Sequence, residues 1–297
     1  MDRQVEVVSV FIAGPGGGNP APIVADAAGM SDVEMQAVAR AHGHESGFVL
    51  PPPPEAPNCD FTLRFWVPNH EMSMCGHATV GAVWLLDRLG RLPRDHIWIA
   101  TQSGLVEARV IERGEQGAMV EVSQPAGIVE PLPDPEPDRD DILAALGVTA
   151  DALADFPIWN ARTSRVKTLV PLKTVALLDG LRPDFSRMES LCERIGSTGL
   201  YPYAADDLAG RVFAARQFPK SSGYPEDAAT GIAAAALAFG LLAVGAVTAT
   251  EQPIRIRQGF AMRRPSEISV RFRIEDGRAT GCWIGGAVRR DDAENRS

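Results

Sequence analysis

Two short stretches of the sequence combine reactive side chains with a glycine that begins an apolar segment. They read Cys75-Gly76-His77 and Asp227-Ala228-Ala229-Thr230-Gly231. The first residues of a helix carry free N–H groups and a partial positive charge, which attract carboxylates. We therefore predict two helix N-termini that bind a carboxylate, with the backbone at Gly76, Thr230 and Gly231 close to the ligand. Helix capping alone is the alternative interpretation of both stretches.

Three side chains in or near these stretches could transfer a proton. Glu45 lies between a predicted helix end and a predicted strand, beside apolar residues, which suits a carboxyl group to acid–base catalysis. His77 could relay a proton as a neutral imidazole, and Asp227 precedes the second apolar segment. Each residue also has a purely structural interpretation. Glu45 could be a solvated loop carboxylate, His77 a core histidine, and Asp227 a charge that complements the helix dipole.

Cys75 adds a different chemical possibility. A thiolate would be stabilised where the first helix begins, so a racemase that uses Cys75 and a second proton carrier is an alternative function. The second stretch has no cysteine in the equivalent place, which leaves Asp227 as the only candidate for that second carrier. A buried structural thiol is the simpler interpretation of Cys75.

The sequence contains no motif for a nucleotide or a metal ion. Asn19 stands where a dinucleotide-binding loop would have its third glycine, and it could instead place an amide near the substrate. The four cysteines form no C-x-x-C pair and are typical neither of a zinc site nor of a disulfide framework. We therefore expect no metal site and a reducing, cytoplasmic location.

The composition narrows the class of protein further. The chain has 297 residues, is 45% hydrophobic and 23% charged, and so predicts a globular protein of about two domains. Its net charge of −9 argues against nucleic-acid binding. The start of the chain does not resemble a signal peptide. The apolar segment 228–249 consists mostly of Ala and Gly, so we expect a buried helix in a protein without a membrane span.

The chain divides near its middle into two halves that resemble each other. Residues 125–141 are rich in proline and acidic residues and are interpreted as a linker. The predicted domains are 1–124, together with the tail 287–297, and 142–286. Each half contains a strand with Arg, then Pro, then an acidic residue, and then a glycine before an apolar helix, and the two glycines are 155 residues apart. A helix that is apolar on all sides must be surrounded by protein, so each half predicts a curled sheet around one helix.

Motifs along nearly the whole chain are similar to those of one known family. They include Val8-Ser9-Val10-Phe11, Gly18-Asn19-Pro20, Glu45-Ser46-Gly47-Phe48, Arg64-Phe65, Cys75-Gly76-His77-Ala78-Thr79, Glu226-Asp227-Ala228-Ala229-Thr230-Gly231 and Gln258-Gly259. By these motifs the chain resembles the phenazine-biosynthesis isomerase-like (PhzF-like) family, which has the diaminopimelate-epimerase-like fold.

The resemblance implies a fold, an activity and a set of catalytic residues. The fold is α+β, with two pseudo-symmetric domains, each a curled antiparallel sheet around a central helix, and an active site in the cleft between them. The activity is isomerisation of trans-2,3-dihydro-3-hydroxyanthranilate by a cofactor-independent homodimer. The matching catalytic positions are Glu45, His77 and Asp227. An alternative is a non-enzymatic binding protein on the same fold.

The sequence departs from the family pattern at two places near these residues. His44 and Ser46 flank the glutamate, where the family commonly has a Ser-Glu-Thr-like run. Ile232 stands where the phenazine enzyme has a serine after Thr-Gly. An apolar side chain in place of a hydroxyl beside an anion site is expected to change which small carboxylate the pocket accepts.

Overall fold

The computed structural model describes residues 3–54, 58–114, 117–220 and 224–291. The helices in these ranges are α1 Asp32–His42, α2 Gly76–Arg88, α3 Pro135–Leu146, α4 Val175–Gly180, α5 Met188–Arg194 and α6 Gly231–Ala243. No helix within the described ranges is both long and apolar enough to cross a membrane.

The strands greatly outnumber the helices. They are β1 Glu6–Val10, β2 Asn19–Val24, β3 Ser46–Leu50, β4 Phe61–Trp66, β5 Glu71–Met72, β6 His96–Thr101, β7 Gly104–Gly114, β8 Gly117–Pro125, β9 Ile128–Pro131, β10 Trp159–Arg162, β11 Lys167–Pro171, β12 Gly199–Asp207, β13 Val212–Ala215, β14 Phe218–Pro219, β15 Ile254–Gln258, β16 Ser266–Glu275, β17 Arg278–Gly286 and β18 Val288–Arg290. The chain forms two compact units. Unit 1 contains the described residues of 1–13, 17–123 and 285–297, and unit 2 contains those of 14–16 and 124–284.

Unit 1 is a curled sheet that packs on α2. Antiparallel pairs join β1 to both β2 and β18, β3 to β4, and β6, β7 and β8 in a meander. Parallel pairs join β2 to β3 and β4 to β6. Every residue of α2 from Gly76 to Leu86 is buried, which confirms the prediction that an apolar helix lies inside a sheet.

Unit 2 repeats this plan around α6 and adds a layer of helices. Strands β9, β10 and β11 pair antiparallel, β11 and β12 pair parallel, and β12 and β13 pair antiparallel. The side of the sheet away from α6 carries an apolar cluster that includes Ile142 from α3, Leu178 from α4 and Cys192 from α5. The mostly antiparallel sheet around a buried helix, built twice, confirms the predicted α+β fold class.

The segment 125–141, predicted as a linker, has regular structure. It contains β9 and the first half of α3, and β9 pairs with β10. Pro135 is the first residue of α3, where its missing N–H costs nothing, and Glu136 and Asp138 lie in the first turn, where acidic residues complement the helix dipole. The same prolines and acids that suggest a linker are therefore also suited to a helix start.

Each unit contains an arginine–glutamate ion pair at the equivalent place in its sequence. In unit 1 the guanidinium of Arg64 donates two hydrogen bonds to Glu71, at 2.5 and 2.7 Å. In unit 2 Arg216 donates two hydrogen bonds to Glu226, at 2.8 and 2.7 Å. Each arginine also lies over the aromatic ring two residues later in its own strand segment. Both acids precede the central helix by the same number of residues, as the repeat in the sequence predicts.

Candidate active site

In unit 1, the start of α2 holds His77 beside the half-buried Glu45. The short segment between α1 and β3 carries Glu45, and Gly47, two residues later, packs against Ala78 in the first turn of α2. His77 is 7% exposed, and the Glu45 carboxylate acts on its charge. Asn19, at the start of β2, is buried next to Pro20, whose carbonyl also favours a protonated His77 ring. Unit 1 thus brings Asn19, Glu45 and His77 together.

Burial determines the charge state of His77. It lowers the pKa of the imidazole below its ordinary value of 6.5, while the Glu45 carboxylate opposes this shift and His44 adds to it. Its Nδ1 lies 3.4 Å from the thiol sulfur of Cys75, and its buried Nε2 forms no well-formed hydrogen bond with any described residue. A neutral ring in which Nε2 is available can donate or accept a proton at a bound substrate.

This charge state predicts how stability depends on pH. The neutral His77 ring is favoured in the folded protein, whereas the unfolded chain takes up a proton near pH 6.5. The contribution of His77 is therefore present above that pH and is lost as pH falls from 6.5 towards the folded-state pKa. We expect His77→Gln to flatten the fall in urea-unfolding free energy between about pH 7 and pH 5. The exposed His70→Gln variant is the control, and equal slopes in all three proteins would contradict the assignment.

In unit 2, Asp227 is held in a hydrogen-bonded turn before α6. The Thr230 hydroxyl donates to the Asp227 carboxylate. The amide of Gln258 donates to the Asp227 backbone carbonyl at 2.7 Å and to the Thr230 hydroxyl at 3.1 Å. The carbonyl oxygen of the same Gln258 side chain accepts from the buried Tyr201 hydroxyl at 2.9 Å. These contacts fix the position of Asp227 and direct the Thr230 side chain towards it.

The loop after β15 approaches this turn so closely that only glycine fits. Gly259 has φ +80°, and a Cβ there would lie 2.7 Å from the Ala228 carbonyl and 2.3 Å from the Arg264 carbonyl. The turn at Gly259 thereby places Gln258 under the segment that leads into α6. No local sequence pattern predicts a role for Gln258, although the Gln258-Gly259 motif contributes to the family resemblance.

Both central helices begin without the usual capping groups. Neither Cys75 at the start of α2 nor Thr230 at the start of α6 makes a side-chain capping bond, and neither first turn contains an acidic residue. By contrast, α1 has a complete capping box from Ser31 and Glu34. The amides at Gly76 and Gly231 and the positive ends of two 13-residue helices thus remain available to an anion.

The predicted residues therefore form two groups, one in each unit. Unit 1 holds Asn19, Glu45, Gly76 and His77, and unit 2 holds Asp227, Thr230 and Gly231. Within the part of the chain that the structure describes, no three His, Cys, Asp or Glu side chains cluster as metal ligands would. The arrangement offers a carboxylate and a neutral imidazole for proton transfer, and two helix N-termini for an anion.

Similarity to known proteins extends over almost the whole chain. The sequence profile of the family described as "Phenazine biosynthesis-like protein" matches residues 8–288. The chain is 30% identical to trans-2,3-dihydro-3-hydroxyanthranilate isomerase from Pseudomonas aeruginosa, over 96% of each chain. It is also 30% identical to a protein of Escherichia coli K12 named "Uncharacterized isomerase YddE", over 97% of this chain and 96% of that one.

A solved structure shows the same fold. The phenazine-biosynthesis protein of the PhzF family from Bacillus anthracis superimposes with a TM-score of 0.86 at 24% identity, over 98% of both chains. Together with the family profile and the named isomerases, this similarity agrees with the curled sheet and central helix described for each unit. The chain belongs to the PhzF family and is an isomerase of that family.

Proposed function

We propose that this isomerase shifts a proton, and with it a double bond, on a small cyclic carboxylate similar to trans-2,3-dihydro-3-hydroxyanthranilate. The observation that carries the proposal is that the Glu45 carboxylate lies close enough to act on the buried His77 ring at the uncapped start of α2. A carboxylate beside a buried neutral imidazole is suited to move a proton between two carbon atoms. The P. aeruginosa relative carries the name of the dihydrohydroxyanthranilate reaction.

The proposed reaction moves one proton, which Glu45 removes from the substrate and then returns to it. Glu45 removes a proton from one ring carbon, the electron pair left behind moves the double bonds, and Glu45-H returns the proton to another carbon of the same ring. Substrate and product are isomers, so no oxidant, reductant or other co-reactant is consumed. His77 and Asp227 hydrogen-bond the polar groups of the substrate and hold the ring while its charge redistributes. The reaction needs no metal or organic cofactor.

The helix starts are proposed to hold the substrate carboxylate. The amides at Gly76 and Gly231 provide N–H donors, and each helix contributes a partial positive charge. The Thr230 amide donates instead to the Gln258 side-chain oxygen, at 3.3 Å. Such donors stabilise negative charge that spreads from the carbanion towards the carboxylate during proton transfer. Asn19 is proposed to contribute its side-chain amide in unit 1.

The proposal is tested by incubation of the purified protein with trans-2,3-dihydro-3-hydroxyanthranilate. We expect a product of unchanged mass whose NMR spectrum shows a shifted ring double bond. The same compound without its carboxylate is expected to react at least about tenfold more slowly, because it lacks the group that the helix starts hold. Failure to convert this substrate and other small unsaturated ring carboxylates would contradict the proposal.

Cys75 supports a second candidate, a racemase. Its sulfur lies 3.4 Å from His77 Nδ1 and is positioned at the start of α2. A racemase inverts one carbon and leaves every double bond in place, with Cys75 and Asp227 as the two proton carriers. Loss of activity in Cys75→Ala with retention in Glu45→Gln favours this candidate, and the opposite pattern favours the isomerase.

Ile232 offers a direct prediction about substrate choice. It is the second residue of α6 and is half-buried beside the proposed anion site. Ile232→Ser adds a hydroxyl that can hydrogen-bond a polar substrate, so we expect kcat/KM for trans-2,3-dihydro-3-hydroxyanthranilate to rise by about tenfold. The matched control is Ile232→Ala, which removes bulk without adding a donor. An equal rise in both variants would mean that space, not the hydroxyl, limits the reaction.

A further inference from the structure

Lys167 is a buried cation that the proposed reaction has not used. It is the first residue of β11 and one of only three lysines in the chain, and it is 5% exposed. Leu169, two residues later, packs against Gly240 of α6. Because alternate residues of a strand share one face, Lys167 is on the α6 face of the sheet.

No described residue neutralises Lys167 by direct contact. It forms neither an ion pair at salt-bridge distance nor a side-chain hydrogen bond with any residue in the described ranges. Burial lowers the pKa of its ammonium group to about 8; the Asp227 carboxylate opposes this shift, the Arg165 charge adds to it, and the Cys192 thiol opposes it weakly. Asp227 is therefore close enough to act on Lys167, although it does not pair with it.

A buried amide without a partner lies on the same face. Gln217 is 1% exposed, and neither polar atom of its side chain has a hydrogen-bond partner among the described residues. Its Nε2 lies directly above Gly199, only 2.4 Å from where a Cβ would be. The parallel pairing of β11 and β12 places Thr168 opposite Leu200. Continued by one residue, this register brings Lys167 level with Gly199, so the Lys167 and Gln217 side chains lie over the same part of the sheet. The backbone of Gln217 pairs with Asp227.

Two buried polar side chains without partners are costly for a folded protein. A charged ammonium group on a residue that is only 5% exposed is stabilised by a counter-charge, and a buried amide requires hydrogen bonds. Both groups lie near Asp227, in the segment that leads into the uncapped helix α6. A carboxylate has one negative charge and two oxygen atoms, so a single group could accept from the Lys167 ammonium and from the Gln217 amide.

We propose that Lys167 and Gln217 form a carboxylate-binding site in unit 2, where Lys167 provides the full positive charge that pairs with the substrate. This inference deepens the proposed function and rests on it for the class of substrate. The start of α6 contributes only partial charges to the anion, whereas Lys167 contributes a full unit charge on a buried group. Lys167 is thus a binding residue and takes no part in moving the proton.

The test is calorimetric binding of two probes that differ only in the carboxylate. They are 3-hydroxyanthranilate and 2-aminophenol, the same ring without the carboxyl group. We expect the native protein to prefer the carboxylate, and Lys167→Met to lose at least about tenfold of that preference. Lys167→Arg is expected to keep it, because the charge remains. Lys173→Met, which removes a solvent-exposed lysine of the same unit, is the matched control and is expected to behave as the native protein.

Proton uptake supplies a readout that needs no variant. At pH 8.5 a lysine with a pKa of about 8 is mostly neutral. The negative charge of a bound carboxylate raises the pKa of this lysine, which then takes up a proton from the buffer. Binding enthalpies measured in two buffers of different ionisation enthalpy should therefore show uptake of up to about three quarters of a proton. Binding of 3-hydroxyanthranilate without proton uptake overturns the inference. So does the absence of binding at about 10 mM, or an unchanged carboxylate preference in Lys167→Met.

The outcomes separate this inference from the proposed function. If Lys167→Met keeps the carboxylate preference while Glu45→Gln abolishes conversion, the proton-transfer function stands and the binding site is wrong. If 3-hydroxyanthranilate binds with proton uptake but the native protein converts no ring carboxylate, the binding site stands and the proposed reaction is wrong.

Discussion

Glu45→Gln is expected to abolish turnover, with kcat reduced by about 10³-fold or more. General acid–base catalysis contributes typically about 10²- to 10⁴-fold, and here one carboxylate both removes and returns the proton. Glutamine keeps the size and the hydrogen-bonding capacity of the side chain but cannot carry the proton. The measurement is kcat for trans-2,3-dihydro-3-hydroxyanthranilate, with the circular dichroism spectrum and urea midpoint as checks on folding.

The matched control is Glu112→Gln, which changes an exposed glutamate on β7 of the same unit. It should leave kcat unchanged and show that one lost charge in unit 1 is not enough to inactivate the protein.

Glu45→Gln is also expected to change the pKa of His77. Because the Glu45 charge raises the pKa of this ring, its removal should lower that pKa further, as NMR titration of the imidazole can show. A Glu45→Gln variant that retains kcat within threefold of native contradicts the assigned role.

Breaking the Arg216–Glu226 ion pair is expected to have the largest effect on stability. The two side chains are 9% and 10% exposed, and Arg216 also donates to the backbone carbonyls of Leu178 and Leu181. Removing one partner of a buried pair costs about 3–5 kcal/mol, because the other charge stays buried without compensation. We expect Glu226→Gln to lower the free energy of unfolding in urea by about this amount. Asp227 follows directly, so activity should fall as well.

The equivalent change in unit 1 provides the comparison within the same chain. Arg64 and Glu71 have the same bidentate geometry, but their side chains are 24% and 16% exposed, and Arg64 also pairs with Asp32. Water screens this pair better, so Glu71→Gln should cost roughly half as much as Glu226→Gln. Equal losses in the two variants, or a loss below about 1 kcal/mol in Glu226→Gln, would show that burial does not determine the strength of these pairs.

Local patterns in the sequence predict much of this fold. Ser31 and Glu34 form the expected capping box at α1, and the apolar residues of α2 and most of those of α6 are buried. These features depend on residues within one or two turns of a helix, so they are visible without a structure. The repeated Arg and acidic residues are also visible, and the structure joins them as ion pairs.

Contacts that depend on how the strands pair cannot be predicted from local sequence patterns. Gln258 lies under Asp227 although 31 residues separate them. Lys167 and Gln217 share a face only because β12 pairs both with β11 and with β14, the strand that directly follows Gln217. A lysine at the start of a strand is usually exposed, and no local pattern marks this one as buried. The composition of segment 125–141 suits both a linker and the start of α3, so a local pattern alone does not distinguish the two.

The central claim is that Glu45 carries a proton from one ring carbon to another. The most direct measurement is conversion of trans-2,3-dihydro-3-hydroxyanthranilate in D2O, with the amount and position of deuterium followed by NMR and mass spectrometry. We predict a product with at most one deuterium, located at the newly protonated carbon, and no product and no deuterium uptake with Glu45→Gln. Deuterium exchange that continues unchanged in Glu45→Gln and disappears in Cys75→Ala would contradict the claim.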